Sequence, residues 1–416
     1  MIDINLIIND VEEIKKKLGS RGYNLDDSLI IKLFQERKKL IHKKESHAAQ
    51  KNILVNDFKK SKTNTDKDSI KIQSQQLDDL INENKKLLNK VETDLTKLMQ
   101  GIPNIPSSTT PIGNEDCNEI IKTWGKPNNN QSDHSQILST NYLDFESAVS
   151  MSKPRFAVLK GDISKLHRAL VNYMMDIHTD KNGYTEYNVP YIVNSSSLIG
   201  TGQLPKFEED LFKIADSDLY LIPTAEVPLT NIYRNKIIDE SDLPVKIVSH
   251  TPCFRSEAGS YGKDTKGIIR LHQFEKVELV QIVNPANELK SLESILTCAE
   301  EILESLEIPY RRVVLASNDL GFSSSLTYDI EAWYPGQSKY REISSCSSFT
   351  DFQSRRLNIK YKNKATKKKS LAYTLNGSGL AIGRTLAALV ENHLRTDTLS
   401  IPKVLQKYTG FDIIRL

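Results

Sequence analysis

The sequence has few cysteines and no long apolar run, and its positive and negative charges nearly balance. Four cysteines are present without any C-x-x-C pair, so neither a structural zinc site nor a disulfide framework is expected. No segment approaches the roughly 18 uninterrupted apolar residues of a membrane span, and the first residues lack the basic start and apolar run of a secretory signal. We therefore expect a cytoplasmic protein with no membrane partner.

The near balance of positive and negative charge means that composition alone does not indicate whether the protein binds nucleic acid. A net charge of +3 does not identify a nucleic-acid-binding protein, so only the distribution of the charge can do so. Apolar and aromatic residues make up 38% of the 416 residues and charged residues 26%, which is typical of a folded globular protein. This length predicts two domains, one of them large.

A change in composition near residues 101–115 divides the chain. That segment, GIPNIPSSTTPIGNE, gathers proline, glycine and hydroxyl residues that cannot continue a helix. We interpret it as a linker between a first domain over residues 1–100 and a second over residues 116–416. In the second domain, short apolar runs alternate with turn signals and a few helical stretches, which predicts a mixed sheet packed with helices.

The first domain carries the pattern of a helical hairpin. Seven positions, six of them leucine, isoleucine or valine, recur in the four-three rhythm of a heptad seam. They are Leu77, Ile81, Asn84, Leu88, Val91, Leu95 and Leu98. An upstream stretch that begins at Leu25 also has apolar residues at helical spacing, so two long helices should pack antiparallel as a coiled coil. The polar segment within residues 53–70 is the predicted turn.

The upstream helix of this hairpin is rich in basic residues. They are Lys32, Arg37, Lys38, Lys39, Lys43 and Lys44, and Glu36 and Glu45 are the nearby acids. A basic helix face can follow a phosphate backbone. A solvated helix surface in a lysine-rich protein explains the same charges, so charge alone leaves both interpretations open.

Residues 253–279 carry the strongest candidate chemistry, because they predict two strands joined by a glycine-rich loop. Residues two apart on a strand project to one face, so Arg255 and Glu257 should share a face of the first strand. Phe274, Lys276 and Glu278 should share a face of the second. Such a hairpin would bring a cation, a carboxylate and an aromatic ring onto one surface, which suits ATP. The loop string GSYGKDTKG lacks the spacing and the final hydroxyl residue of a phosphate-binding loop.

Two further segments flank this hairpin in the sequence. Residues 183–193, GYTEYNVPYIV, end in strand-like residues around Pro190, which alone indicates only an ordinary sheet edge. Residues 374–392 contain closely spaced glycines and a predicted amphipathic helix that begins just after Arg384. An arginine at a helix entrance can bind a terminal phosphate through several hydrogen bonds.

In this order and spacing, the three segments resemble the three motifs of class II aminoacyl-tRNA synthetases. Two further blocks, LIPTAEVPLTN at 221–231 and YREISSCSSFTDFQSRR at 340–356, resemble the bacterial seryl-tRNA synthetases in particular. The resemblance implies an α+β fold with a mixed, mainly antiparallel sheet flanked by helices, preceded by the helical hairpin. It also implies a ligase that activates L-serine with ATP to seryl-adenylate and transfers the seryl group to the 3′ end of tRNA(Ser), and it leaves tRNA(Sec) open as a second substrate.

The resemblance assigns residues to ATP and to a metal ion. Arg255 and Arg384 would be catalytic, holding the α- and γ-phosphates, while Glu257 would meet the adenine amino group and Phe274 would stack on the ring. The full ATP-binding set is Arg255, Ser256, Glu257, Phe274, Glu342, Ile343, Ser344, Ser345 and Arg384. Glu342 and Ser345 would also hold Mg²⁺, since a hard cation prefers carboxylate and hydroxyl oxygens.

The resemblance likewise implies a serine pocket and partners. The serine-binding set is Thr224, Ala225, Glu226, Arg255, Glu278, Asn376 and Ser378. A homodimer would form through residues 183–193, and the helical hairpin would bind the long variable arm of tRNA(Ser). Only 32 residues (416 minus 384) follow Arg384, too few for the C-terminal anticodon-binding domain of related prolyl or threonyl enzymes.

Three alternatives remain at this point. An amino acid:carrier-protein ligase shares the catalytic core but lacks the tRNA-binding hairpin. A catalytically silent RNA-binding homologue would have no need to retain Arg255, Glu278 and Arg384 together. A coiled-coil interaction protein would leave the second domain unexplained. The chain also departs from the family, with Leu326 and Tyr373 at positions where a lysine and a histidine are usual, so its catalytic efficiency is an open question.

Overall fold

A computed structural model describes residues 1–129, 131–258 and 267–416, which divide into two units. One unit comprises Asp3–Gly19 and Asn24–Ile102, and the other comprises Met1–Ile2, Ser20–Tyr23 and Pro103–Leu416. Most of the predicted loop string GSYGKDTKG, residues 259–266, lies outside the described residues. Within the described ranges, each helix is too short or too polar to span a lipid bilayer.

The helices and strands are numbered in chain order. The helices are α1 Ile4–Asn9, α2 Val11–Gly19, α3 Asp27–Lys60, α4 Asn64–Gln100, α5 His134–Ile137, α6 Ser139–Tyr142, α7 Phe145–Ser152, α8 Gly161–Asp176, α9 Ser195–Thr201, α10 Glu226–Asn231, α11 Glu288–Ser305, α12 Phe352–Leu357, α13 Ile382–His393 and α14 Lys403–Thr409. The strands are β1 Glu119–Trp124, β2 Leu143–Asp144, β3 Val158–Leu159, β4 Thr185–Glu186, β5 Ile192–Asn194, β6 Leu219–Leu221, β7 Ile237–Asp239, β8 Val245–Phe254, β9 Gln273–Val283, β10 Tyr310–Val314, β11 Leu326–Tyr334, β12 Lys339–Ser348, β13 Lys360–Lys362, β14 Lys369–Leu371, β15 Tyr373–Ala381, β16 Leu394–Arg395, β17 Thr398–Ser400 and β18 Ile413–Arg415.

The smaller unit is dominated by the helical hairpin of α3 and α4. Neither helix contains proline or glycine, so the backbone continues without a break for 34 and 37 residues. Arg37 pairs with Glu92, and Lys51 pairs with Asp78 nearer the turn, so the helices run antiparallel. All seven predicted seam positions are buried or half-buried, and the turn at residues 61–63 falls inside the predicted segment. The predicted hairpin is therefore confirmed.

A buried polar contact lies inside this seam. The Asn84 side chain is 6% exposed and donates a hydrogen bond to the carbonyl of Leu40 over 3.0 Å. Leu88 and Val91 pack beside it against Leu40. A polar group at a seam position costs stability but specifies one register of the two helices, because only that register satisfies its hydrogen bond.

The larger unit is built on a sheet with the strand order β1-β10-β11-β12-β15-β9-β8-β4, eight strands within the described residues. All neighbours pair antiparallel except β4 and β8, which are parallel. Helices α8, α11 and α13 contribute Leu170, Ile295 and Leu386 to the core that packs with this sheet. The predicted α+β class, with a mixed and mainly antiparallel sheet, is confirmed.

Strand order brings distant segments of the chain together. Strand β15, the last of the sheet in sequence, lies between β9 and β12. Glu278 on β9 is paired with Ser378 on β15, and Asn376 on β15 is paired with Ser347 on β12. Because paired residues project from the same face of a sheet, polar side chains from three strands meet on one surface.

Candidate active site

A cleft of about 820 Å³ opens on this polar surface of the sheet. It is lined by twelve of the residues predicted from sequence, namely Thr224, Glu226, Arg255, Glu257, Phe274, Glu278, Glu342, Ile343, Ser345, Asn376, Ser378 and Arg384. The structure therefore places Arg255 and Arg384 in the same cleft, although 129 residues (384 minus 255) separate them in sequence.

Arg255 and Phe274 form one wall of the cleft. The Arg255 guanidinium lies 5.2 Å from the centre of the Phe274 ring, a cation–π distance, and its Nε donates to the Pro223 carbonyl over 3.2 Å. These two contacts hold the guanidinium in one orientation. The remaining N–H groups are arranged as a planar fork that suits a phosphate or carboxylate.

The expected strand geometry of Arg255 and Glu257 is wrong. Strand β8 ends at Phe254, and Glu257 has a φ of +53°, in the left-handed region that no strand residue adopts. The carboxylate nevertheless reaches the cleft, where it forms an ion pair with Arg270. The chain thus turns sharply after Arg255, and the two side chains share the cleft without sharing a strand face.

Arg384 lies in the first turn of α13, which begins at Ile382, three residues earlier than the sequence predicts. Its Nη1 donates to the Glu342 carbonyl over 2.8 Å and lies 3.1 Å from the Glu342 carboxylate, and its Nε donates to the Ile269 carbonyl over 3.1 Å. Desolvation in the cleft acts to raise the pKa of Glu342, but the positive charges of Arg384, Arg255 and Lys276 together outweigh it and lower that pKa. Glu342 is therefore a carboxylate at neutral pH.

A second acid lies beside Glu342. Strand β12 has an irregularity in its pairing with β11, where Ser344 faces Ile330 but Glu342 faces Glu331, so Ile343 is an extra residue. Asp329 on β11 is paired with Ser345 and hydrogen-bonds to its hydroxyl. Burial, and then repulsion from Glu342, raise the pKa of Asp329 well above its usual range. Among the described residues, the Asp329 Oδ1 atom is buried without a hydrogen-bond partner, so the surroundings of Glu342 and Ser345 favour a cation.

A separate polar pocket surrounds Glu278, whose side chain is fully buried. Lys276 Nζ lies 2.6 Å from one carboxylate oxygen, and Asn376 Nδ2 donates to the other over 2.9 Å. Lys276 was expected to share a strand face with Glu278 but was not assigned to a ligand. A buried carboxylate needs such partners to remain ionised.

Glu226 forms the other side of this pocket and is only 6% exposed. Burial, followed by repulsion from Glu278, raises the pKa of Glu226 to about 7. The Gln353 amide opposes that shift by donating to Glu226 Oε1 over 2.6 Å. Gln353 was not among the predicted site residues, because it lies in the block 340–356 but on α12, beyond the strand that carries Glu342.

Two family models match this chain. The seryl-tRNA synthetase N-terminal domain matches residues 1–106, and the class II tRNA synthetase core domain (G, H, P, S and T) matches residues 207–393. A serine–tRNA ligase of Cellvibrio japonicus is 47% identical over 99% of this chain and 98% of its own length, and one of Teredinibacter turnerae is 48% identical over 98% of both. The chain belongs to the seryl-tRNA synthetase family.

The solved structures agree with this family membership. The crystal structure of the seryl-tRNA synthetase from Pyrococcus horikoshii complexed with ATP has a TM-score of 0.92 to this chain. It is 35% identical and covers 100% of this chain and 99% of its own. A seryl-tRNA synthetase fold thus extends over the whole chain, including the hairpin that the carrier-protein ligase alternative would lack.

Three of the predicted site residues do not line the cleft. Ala225 is buried in an apolar cluster with Leu229 and Ile247. The Ser256 hydroxyl donates to the Glu209 carbonyl. Ser344 is fully buried and donates to the Ser378 carbonyl over 2.6 Å. Ser344 thereby supports Ser378, which does line the cleft, and in β12 the alternation of side chains turns Ser344 away when Ser345 faces inward.

Proposed function

We propose that this chain is a serine–tRNA ligase that makes seryl-adenylate from L-serine and ATP and then transfers the seryl group to the 3′ end of tRNA(Ser). One observation carries the proposal. A single cleft combines two fixed arginines and an aromatic ring with an adjoining polar pocket around Glu226 and Glu278. The first part suits a nucleoside triphosphate, and the second suits a small zwitterion with a hydroxyl group.

ATP binds across Arg255, Phe274 and Arg384 in this proposal. Arg255 contacts the α-phosphate, Phe274 stacks on adenine, Glu257 meets the adenine amino group and Arg384 contacts the γ-phosphate. Guanidinium groups held in advance stabilise the charge that develops on the phosphates without reorganisation during the reaction. Ser256 and Ser344 contribute through their backbone and neighbours, since their hydroxyl groups are engaged elsewhere.

The oxygen atoms of Glu342, Ser345 and Asp329 suit a divalent cation bound together with the triphosphate. Glu342 and Ser345 would hold Mg²⁺, and Asp329 lies beside them with a buried oxygen that has no hydrogen-bond partner in the described parts of the chain. When bound, the ion neutralises phosphate charge. Oxygen donors of this kind are those that Mg²⁺ prefers.

L-Serine binds in the polar pocket. The Glu226 carboxylate pairs with the serine ammonium, and Glu278 accepts a hydrogen bond from the serine hydroxyl, with Thr224, Asn376 and Ser378 completing the wall. An alanine substrate would leave the buried Glu278 without that hydrogen bond, so the pocket should reject it.

The chemistry requires no side-chain base. The serine carboxylate is ionised at neutral pH and attacks the α-phosphorus in line, and pyrophosphate leaves. The terminal adenosine hydroxyl of tRNA then attacks the adenylate carbonyl and releases AMP. Catalysis is therefore a matter of positioning and of charge stabilisation by Arg255 and Arg384.

The hairpin of α3 and α4 binds tRNA in this proposal, and two copies of the chain form a homodimer through residues 183–193. Lys32, Lys38, Lys39, Lys43 and Lys44 are exposed along α3. Arg37 instead pairs with Glu92 at 2.9 Å, so the lysines carry the available positive charge of this face. Such a face can contact phosphates.

An exchange and charging assay tests the function. Wild-type protein should show serine-dependent ATP–pyrophosphate exchange and should charge tRNA(Ser) with serine but not alanine or threonine. Glu278→Ala should abolish the exchange, while Glu146→Ala, an exposed acid on α7 outside the cleft lining, should not change it. Wild-type protein that binds tRNA but shows no exchange would indicate the silent RNA-binding alternative.

A further inference from the structure

We infer that the buried pair of His134 and Glu391 is a positioning device that holds the cleft wall at residues 268–270 in place and thereby sets the affinity for ATP. This inference rests on the proposed function. His134 and Glu391 lie outside the cleft lining, whereas all three residues of the 268–270 wall line it.

The pair forms a fully connected hydrogen-bond relay. Both side chains have no exposed surface, and His134 Nδ1 lies 2.7 Å from Glu391 Oε1. The other oxygen, Oε2, accepts from the Gly336 N–H over 2.9 Å. On the far side of the ring, His134 Nε2 accepts from the Ile268 N–H over 3.0 Å. Because Nε2 faces a donor and Nδ1 faces a carboxylate, the proton must be on Nδ1.

Asp133 lies close enough to suggest a metal site instead. One ligand atom from each of Asp133, His134 and Glu391 lies within 4.8 Å of the others. However, both ring nitrogens of His134 are hydrogen-bonded, and Asp133 Oδ1 caps α5 by accepting from the Ser135 N–H over 2.8 Å. A metal ion would have to displace the Ile268 or Glu391 contact, so the cluster is organised as a hydrogen-bond relay.

The relay ends at residues that contact the ATP groups. Ile269, next to Ile268, accepts a hydrogen bond from Arg384 Nε, and Arg270 pairs with Glu257. Arg384 and Glu391 are seven residues apart on α13, which is about two helical turns. One helix therefore holds the 268–270 wall at two points, directly through Arg384 and indirectly through Glu391 and His134.

Gly267 gives independent evidence that the wall is fitted against the imidazole. A Cβ atom at this position would lie 2.0 Å from His134 Nε2, and Gly267 has a φ of +73°. Only glycine allows the backbone to pass so close to a side chain in this conformation. The contact is therefore specific to the ring of His134.

Removal of the His134 Nε2 acceptor should disturb ATP binding more than serine binding. The Ile268 N–H would be buried without a partner, and the wall that carries the Arg384 and Glu257 contacts could relax toward solvent. The serine pocket around Glu278 is built by β9, β15 and α10, whereas the hydrogen bonds of the His134 side chain within the described residues go to Glu391 and Ile268. We expect His134→Leu to raise the KM for ATP roughly tenfold or more and to leave the KM for serine within about twofold.

His393, which lies on α13 together with Glu391, provides a matched control for the His134 substitution. It is 7% exposed, and its Nε2 bonds to the Leu306 carbonyl over 2.8 Å, outside the cleft lining. His393→Leu should lower the urea midpoint of unfolding without changing either KM. His134→Gln keeps an acceptor that can reach the Ile268 N–H, so it should restore most of the ATP affinity.

The experiment measures ATP–pyrophosphate exchange with ATP varied at saturating serine, and with serine varied at saturating ATP. Equal increases of both KM values in His134→Leu, or the same profile in His393→Leu, would overturn the inference. If His134→Leu does not fold, Glu391→Gln supplies the same test, since it weakens the bond that orients the ring. Wild-type protein without serine-dependent exchange would refute the proposed function instead, so the two failures are distinguishable.

Discussion

Replacement of Gln353 by methionine tests how the pocket keeps Glu226 ionised. Gln353 is 1% exposed, and its Oε1 accepts from the Thr374 hydroxyl over 2.7 Å. That bond fixes the amide orientation, so Nε2 must point at Glu226 Oε1, over 2.6 Å, and at the Thr201 carbonyl. A donor held in this way stabilises the charged form of Glu226, whereas methionine has a similar length but cannot donate.

The magnitude follows from the environment of Glu226. Burial and Glu278 raise its pKa to about 7, while Gln353, Lys276 and Arg255 lower it. A hydrogen bond to a charged group contributes about 1.5–3 kcal/mol, or about one to two pKa units, so the variant's pKa should be about 8–9. At about pH 7.5 the ionised fraction would fall from about three quarters to about one tenth. Since the serine ammonium needs the ionised form, the KM for serine should rise about tenfold.

Serine-dependent exchange measured at about pH 7.5 and about pH 9 checks this reasoning. At the higher pH, Glu226 would be largely ionised in both proteins, so the difference in KM for serine should shrink to about twofold or less. Gln406→Met is a control, because Gln406 is half-buried on α14 outside the cleft lining and its Nε2 donates to the Ile401 carbonyl. A KM ratio that is the same at both pH values would show that Gln353 acts through shape and not through the charge of Glu226.

Three further predictions concern stability, ATP and tRNA. Glu226→Gln should abolish serine activation and raise the free energy of unfolding by up to about 3 kcal/mol above pH 7. The reason is that the pKa of Glu226 is about 7 in the native state and 4.5 in the unfolded state, so ionisation destabilises the wild-type fold. Urea melts should therefore show a stability gain that grows from about pH 4.5 to about pH 7 and then levels off. Arg384→Lys should lower the rate of ATP–pyrophosphate exchange by roughly 100-fold or more, since an ammonium cannot reproduce the contacts to Ile269 and Glu342. A rate near that of the wild type would exclude Arg384 from the ATP site. A double variant, Lys39→Glu with Lys43→Glu, changes two exposed lysines one turn apart on α3. It should weaken tRNA charging and reduce the salt dependence of charging, but leave ATP–pyrophosphate exchange unchanged. Equal loss of both activities would argue against a tRNA-specific role.

Periodicity in the sequence was sufficient for the parts of the fold that depend on local pattern. The seam of α4 follows directly from its heptads, since a helix buries the residues that recur on one side. Strand β9 was predicted on the far side of the glycine-rich segment, whereas β8 ends at Phe254, before the residues expected to share its face. The resemblance to synthetase motifs supplied twelve of the residues that line the cleft. Ser345 and Glu342 were predicted in this way.

Contacts between distant segments could not be obtained from those patterns. The Gln353–Glu226 bond joins residues 127 apart, and the Ile268–His134 bond joins residues 134 apart. No local period relates such residues, because their meeting depends on how α12 and α5 pack in the finished fold. The backbone of Glu257 is a second case, since its left-handed conformation is imposed by the turn and not by the preference of glutamate.

Strand order explains why the two halves of the site depend on each other. Strand β15 lies between β9, which carries Glu278, and β12, which carries Glu342, although it is the last of the three in sequence. From β15, Asn376 donates to Glu278, while the Ser378 carbonyl accepts from Ser344 on β12. Neither the serine pocket nor the ATP wall is therefore complete until β15 has inserted. Arg384 lies in the first turn of α13, which follows β15 directly in the chain, so a shift of β15 would displace groups that contact both substrates at once.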